Sequence, residues 1–237
     1  TNQVSKGMTT DQVAALTTAQ ASSLTTAGVA ALTTDQVVAL RTDQVAALKT
    51  AQIGALTTDG IAAMETRDVA ALTTASVGAL TTNQINKGLT TDQVVALRTD
   101  QVAALKTNQV AALTTDQVGA MQTADVAALT TASVGALTTD QISKGLTTDQ
   151  VAGLTTAQAS SLTTAGVAAL TTDQVVALRT DQVASLKTNQ VAALTTDGIA
   201  AMETRDVAAL TTASVGALTT NQVSKGMTTD QVAALTT

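Results

Sequence analysis

The sequence predicts an all-α solenoid of very short helices, one per octapeptide and about three units per coil. Three observations predict it. An eight-residue unit repeats along the whole chain, each unit opens on a helix-start signal, and a longer period changes in steps of three units.

From Thr9 the chain reads TTDQVAAL, TTAQASSL, TTAGVAAL, TTDQVVAL, RTDQVAAL, KTAQIGAL and onward. Three units carry a ninth residue, at 81–89, 138–146 and 219–227, and the opening TNQVSKGM at 1–8 is a fourth, truncated one. Residues 1–237 thus form a single continuous array of 29 units. Position two is always Thr, the last position is Leu or Met, and position five is Val or Ile except at Ala21 and Ala159. Position one admits Arg41, Lys49, Glu65 and Gln122. A column that accepts either charge faces water, whereas the Val and Leu columns face a core.

The helix within each octad follows from its order of residues. Val13 and Leu16 stand three apart, on one helical face, and the Ala residues between them have the highest helix propensity. Thr9 and Gln12 form a capping-box pair. Where Arg41 or Lys49 replaces the first Thr, Thr42 or Thr50 is expected to cap instead. Gly88, near the end of a nonad, is expected to supply a left-handed C-cap. The helix has to break between units. Eight residues advance about 800° along an α-helix, leaving each Leu roughly 80° round from the last, and paired Thr residues weaken propagation. The alternative is a β-solenoid, which Thr and Val also suit; its strands would alternate apolar and polar residues, and the octad does not.

The coil length comes from the longer period. Segments 9–89 and 147–227 are near copies, and segment 90–146 matches the same template minus three octads. Three octads therefore make one turn of the solenoid. On that geometry Arg41 would stack on Glu65, and Arg179 on Glu203, as exposed pairs worth ~0–1 kcal/mol. At ~8–10 Å between packed helices, about ten coils would give a rod on the order of 80–100 Å long. A single unit buries almost nothing, so stability comes from stacking. Ends without capping units would expose core, so the chain is expected to continue in a parent protein or to associate end to end. It does not begin with Met, and no signal peptide opens it.

Composition narrows function. The chain has no Phe, Trp, Tyr, Cys, His or Pro. Disulfide and thiolate chemistry are excluded, and the usual neutral-pH acid–base side chain is missing. A net charge of −6 argues against nucleic acid, whose backbone is bound by clustered Lys and Arg. No apolar run reaches the roughly 18 residues of a membrane span. No cofactor, metal or catalytic residue is assigned. Asp11, Asp35 and Asp43 are the candidates for Ca²⁺, but they lack the glycine-rich loop of calcium-binding repeats and suit helix starts. Lys6, Lys87, Lys144 and Lys225 interrupt the regular surface in the nonads, either as contacts or as parts of a tolerated bulge.

The unit L-T-T-x-Q-V-x-A-L, as in 32–40 and, with Ala21 and Ser23 substituted, in 16–24, resembles the octapeptide repeats of very large bacterial surface and adhesin-like proteins. That resemblance spans the chain and implies an extended extracellular or cell-surface segment with no functional residues to carry over. Residues 32–40 also look like the opening of the DNA-reading repeats of plant-pathogen transcription activators, but those units are much longer and carry a base-reading loop absent here. An enzyme needs differently placed groups converging on one site, and none of the units stands apart in that way. The expected function is a structural rod, stalk or filament segment, its partners being neighbouring repeats or further copies. The alternative is a binding surface whose regular Thr columns engage polysaccharide or ice.

Overall fold

A computed structural model describes residues 7–235 and places them in 28 short helices with no strand among the described residues. The α-helices are four to six residues long, such as Thr42–Ala47, Thr50–Ile53 and Thr180–Ser185. The all-α reading holds, and the β-solenoid does not.

Each octad folds alike because each places the same groups in the same order. In the unit 9–16 the Thr9 backbone is extended, at φ −79° and ψ 166°, and its side chain accepts from the Gln12 N–H while Gln12 Oε1 accepts from the Thr9 N–H. These two bonds satisfy amides that the first helical turn leaves free. The Val13 N–H then bonds to the Thr9 carbonyl at 3.0 Å, and the Leu16 N–H to the Val13 carbonyl at 3.2 Å. The second bond spans three residues, tightening the helix as it ends. Position eight and the next position one are both extended, as at Leu48 (ψ 137°) and Lys49 (ψ 155°), and this pair makes the corner.

Two expectations about the helix ends are corrected. Thr42 and Thr50 do not cap; Arg41 and Lys49 keep the N-cap place with extended backbones and no side-chain cap bond. Only the glutamine half of the box survives there, with Gln44 Oε1 accepting from the Arg41 N–H at 2.7 Å. Gly88 is not a left-handed C-cap, since no described glycine has a positive φ. The extra residue is absorbed by one π-helical turn in each described nonad, Gln84–Gly88, Gln141–Gly145 and Gln222–Gly226. Its signature is the bond from the Leu89 N–H to the Gln84 carbonyl at 2.8 Å, spanning five residues. Gly88 is needed for space: a Cβ there would lie 3.1 Å from Ile61 Cβ and 3.2 Å from the Thr58 carbonyl oxygen. The nonad is therefore a tolerated bulge.

The chain forms two compact units, Thr1–Met121 and Gln122–Thr237. Within each, a helix packs against those three octads before and after it. Thr34–Val38 lies between Thr10–Ala14 and Thr58–Ala63, and in the second unit Thr172–Val176 lies between Thr148–Gly153 and Thr196–Ala201. Three octads per coil is what the sequence predicts. Positions five and eight point inward, leaving Val45 1% and Leu48 4% exposed. Burying a side chain of this size contributes about 1.5–3 kcal/mol, and repetition supplies the core that absent aromatics would otherwise provide.

The stacked charge pairs are a further correction. Arg41 pairs with Asp43 at 3.1 Å and also donates to the Ala14 carbonyl, in the coil before it. Its side chain therefore runs away from Glu65, which is held by Arg67 at 2.6 Å. Arg179 and Glu203 behave the same way, pairing with Asp181 at 3.1 Å and Arg205 at 2.8 Å. The side-chain bond that does cross between these coils joins the Thr42 hydroxyl to Asp68 Oδ1, at 2.6 Å.

Candidate functional site

Position four of the octad is where polar chemistry enters the core. Gln44, Gln101 and Gln182 are fully buried, and the other glutamines of inner coils are nearly so. A buried amide must satisfy both its oxygen and its nitrogen. The glutamine oxygen accepts from the N-cap amide of its own helix, as described above for Gln44. Its Nε2 donates four octads back, to the Val13 carbonyl at 3.0 Å and the Leu16 carbonyl at 2.6 Å. Gln182 repeats the arrangement in the second unit, donating to Val151 at 2.9 Å and Leu154 at 2.6 Å. The carbonyls that receive it lie at a helix C-terminus and its corner, where backbone acceptors lack helical partners. No buried side-chain nitrogen or oxygen is unpaired among the described residues.

This ladder of amides is the feature that sequence reasoning missed. The capping box accounts for the glutamine locally, and nothing within eight residues points to a second partner 28–32 residues away. One signal was present. A capping box accepts Glu as readily as Gln, yet position four is never Glu in this acidic chain. Only the amide offers an acceptor to its own helix and a donor to another coil.

The sequence-predicted candidates sit elsewhere. Asp11, Asp35 and Asp43 are exposed and lie in the first turns of their helices, where a negative charge suits the helix N-terminus. The Arg41 hydrogen bond holds the Asp43 carboxyl below its ordinary value of 3.8, and Arg98 and Arg179 do the same for Asp100 and Asp181. Among the described residues no three His, Cys, Asp or Glu side chains come together as a metal site would require. Lys87, Lys144 and Lys225 are exposed in the π turns, and Lys144 pairs with Asp140 at 2.9 Å; Lys6 lies outside the described residues. First-position threonines spend their hydroxyl oxygens on capping, as Thr33 does for Gln36 at 3.2 Å. A depression of about 200 Å³ in the second unit is lined by Ala208, Leu210, Thr212, Val215, Ala234 and Leu235, with no titratable side chain. No described helix is long and apolar enough to cross a membrane.

Comparison with known proteins agrees with this picture of one repeated local solution. A family model described as the ALTTAQ repeat matches six times, at residues 26–58, 61–99, 95–123, 118–156, 165–196 and 199–237, together most of the chain. No curated protein matches it.

Proposed function

The chain belongs to the ALTTAQ repeat family, and from that membership we propose that it is a non-catalytic structural segment. In this reading it is a stalk, spacer or filament portion of a secreted or cell-surface bacterial protein. The observation that carries it is the glutamine ladder. In unit after unit the buried polar group is spent on holding the coil before it, and the buried apolar groups on packing. The carboxyls of Asp43, Asp100 and Asp181, held low by their arginines, are exposed. The resemblance of the L-T-T-x-Q-V-x-A-L unit to surface-protein repeats supports the location. Negative-stain electron microscopy and small-angle scattering of the purified chain test the structural role: elongated particles are expected, and compact globular monomers would overturn it. Antibody labelling of intact cells of the producing organism tests the location, with signal only after lysis counting against it.

A second reading, a Thr-lined surface for polysaccharide or ice, is favoured by the exposed second-position residues Thr10, Thr26, Thr34 and Thr50. Thermal hysteresis and glycan-array binding test it. Absence of both leaves the structural role alone.

A further inference from the structure

We infer that each compact unit contains one coil-to-coil interface made to open before its neighbours, a seam where the glutamine ladder is interrupted three times in succession. In the first unit, octads 81–89, 90–97 and 98–105 are latched to 49–72. Gln84, Gln93 and Gln101 each donate at 2.7 Å to the closing carbonyls of Leu56, Met64 and Leu72. They also reach Ile53, Ile61 and Val69 at 2.9, 2.8 and 3.0 Å. One coil earlier, position four holds Gly60, Asp68 and Ser76 instead. None of these reproduces the latch. Gly60 has no side chain, Asp68 accepts from Thr42, and the Ser76 hydroxyl accepts from Thr73 at 2.9 Å. The carbonyls of Leu32, Leu40 and Leu48, which glutamines in those places would serve, receive no side-chain donor among the described residues.

The same 24 residues, TTDGIAAMETRDVAALTTASVGAL, recur at 195–218 in the second unit. Gly198, Asp206 and Ser214 again replace glutamine. The carbonyls of Leu170 and Leu178 go unserved among the described residues, and Leu186 receives only the Ser214 hydroxyl at 3.5 Å. The Thr180 hydroxyl bonds to Asp206 at 2.5 Å, as Thr42 does to Asp68. Apolar packing runs through the seam unbroken, with Ile61, Val69 and Leu72 at most 1% exposed. The interface is thus closed at rest, held by this packing and one Thr–Asp bond where its neighbours carry three glutamine latches. Local opening follows the weakest set of contacts, so thermal motion or tension reaches the seam first.

Hydrogen exchange read by mass spectrometry on the full chain tests the inference. Octads 81–89 and 155–162 are the comparison, being latched on both sides through Gln84 and Gln117, and Gln158 and Gln190. Exchange in 57–80 and 195–218 is expected to be at least tenfold faster than in those octads. The double variant Asp68→Gln with Ser76→Gln is expected to slow 57–80 at least threefold and leave 195–218 unchanged as an internal control. Equal rates in the parent chain, or a folded double variant with unchanged exchange in 57–80, would overturn the seam. Should the double variant not fold, Gln84→Ser decides the matter. Faster exchange in 81–89, to the rate of the seam, supports the inference, and no change overturns it.

Discussion

Replacing Gln101 with Glu would keep the acceptor oxygen and remove the donor. The helix would still be capped, but a buried carboxylate would face the carbonyls of Val69 and Leu72. Losing a buried donor and burying an anion predicts a loss of about 2–4 kcal/mol in denaturant unfolding at neutral pH. The pH dependence has a definite sign. Burial among acceptors raises the folded-state pKa of the new Glu above its unfolded value of about 4.3. The charge-related loss is therefore absent below that value and grows as pH rises through the folded-state pKa. The Arg41–Asp43 pair behaves in the opposite way. Its carboxyl is held low by the arginine hydrogen bond, so any stability it contributes is present above the unfolded value of 3.8 and is lost as pH falls through the folded one. Being exposed, the pair is worth little, and the measurable consequence is local. In Arg41→Ala, carboxyl-carbon NMR titration of Asp43 should show its pKa returning toward 3.8.

At the scale of the element, glycines separate into those that make room and those that do not. Gly88→Ala places a Cβ against Ile61 and the Thr58 carbonyl in the coil below, and overpacking of this kind costs about 1–3 kcal/mol. Gly216→Ala meets nothing within 4 Å and has a negative φ, so it should stabilise by about 0.4–1 kcal/mol by restricting the unfolded chain. Paired thermal melts of the two variants, shifting in opposite directions, check both. The contrast also marks the limit of what was legible beforehand. Thr9, Gln12, Val13 and Leu16 announce a capped one-turn helix with one apolar side, because those signals act within a single turn. The three-octad coil was legible too, through a deletion of that length in the middle segment. Gly88 was misread because a glycine at a helix end has a local explanation, whereas its actual constraint is Ile61, 27 residues away. The partners of Gln44 and Arg41, in coils already passed, were hidden for the same reason: an octad's sequence specifies its own turn and leaves its neighbours implicit.

For the whole molecule, stability should depend on array length in the manner of a chain of nearest-neighbour contacts. Adding another 81-residue segment is expected to leave ellipticity per residue unchanged and to raise the midpoint of thermal unfolding, both measurable by far-UV circular dichroism. A lower midpoint in the longer array would contradict nearest-neighbour coupling. The glutamine ladder also has a direction, since each amide donates only to carbonyls that precede it in the chain. A growing polypeptide made from the N-terminus onward meets this requirement in order of synthesis. Each octad that emerges finds its acceptors already displayed on a coil completed 28–32 residues earlier. Folding can thus keep pace with synthesis one unit at a time, the newest octad latching through its glutamine onto the last finished coil.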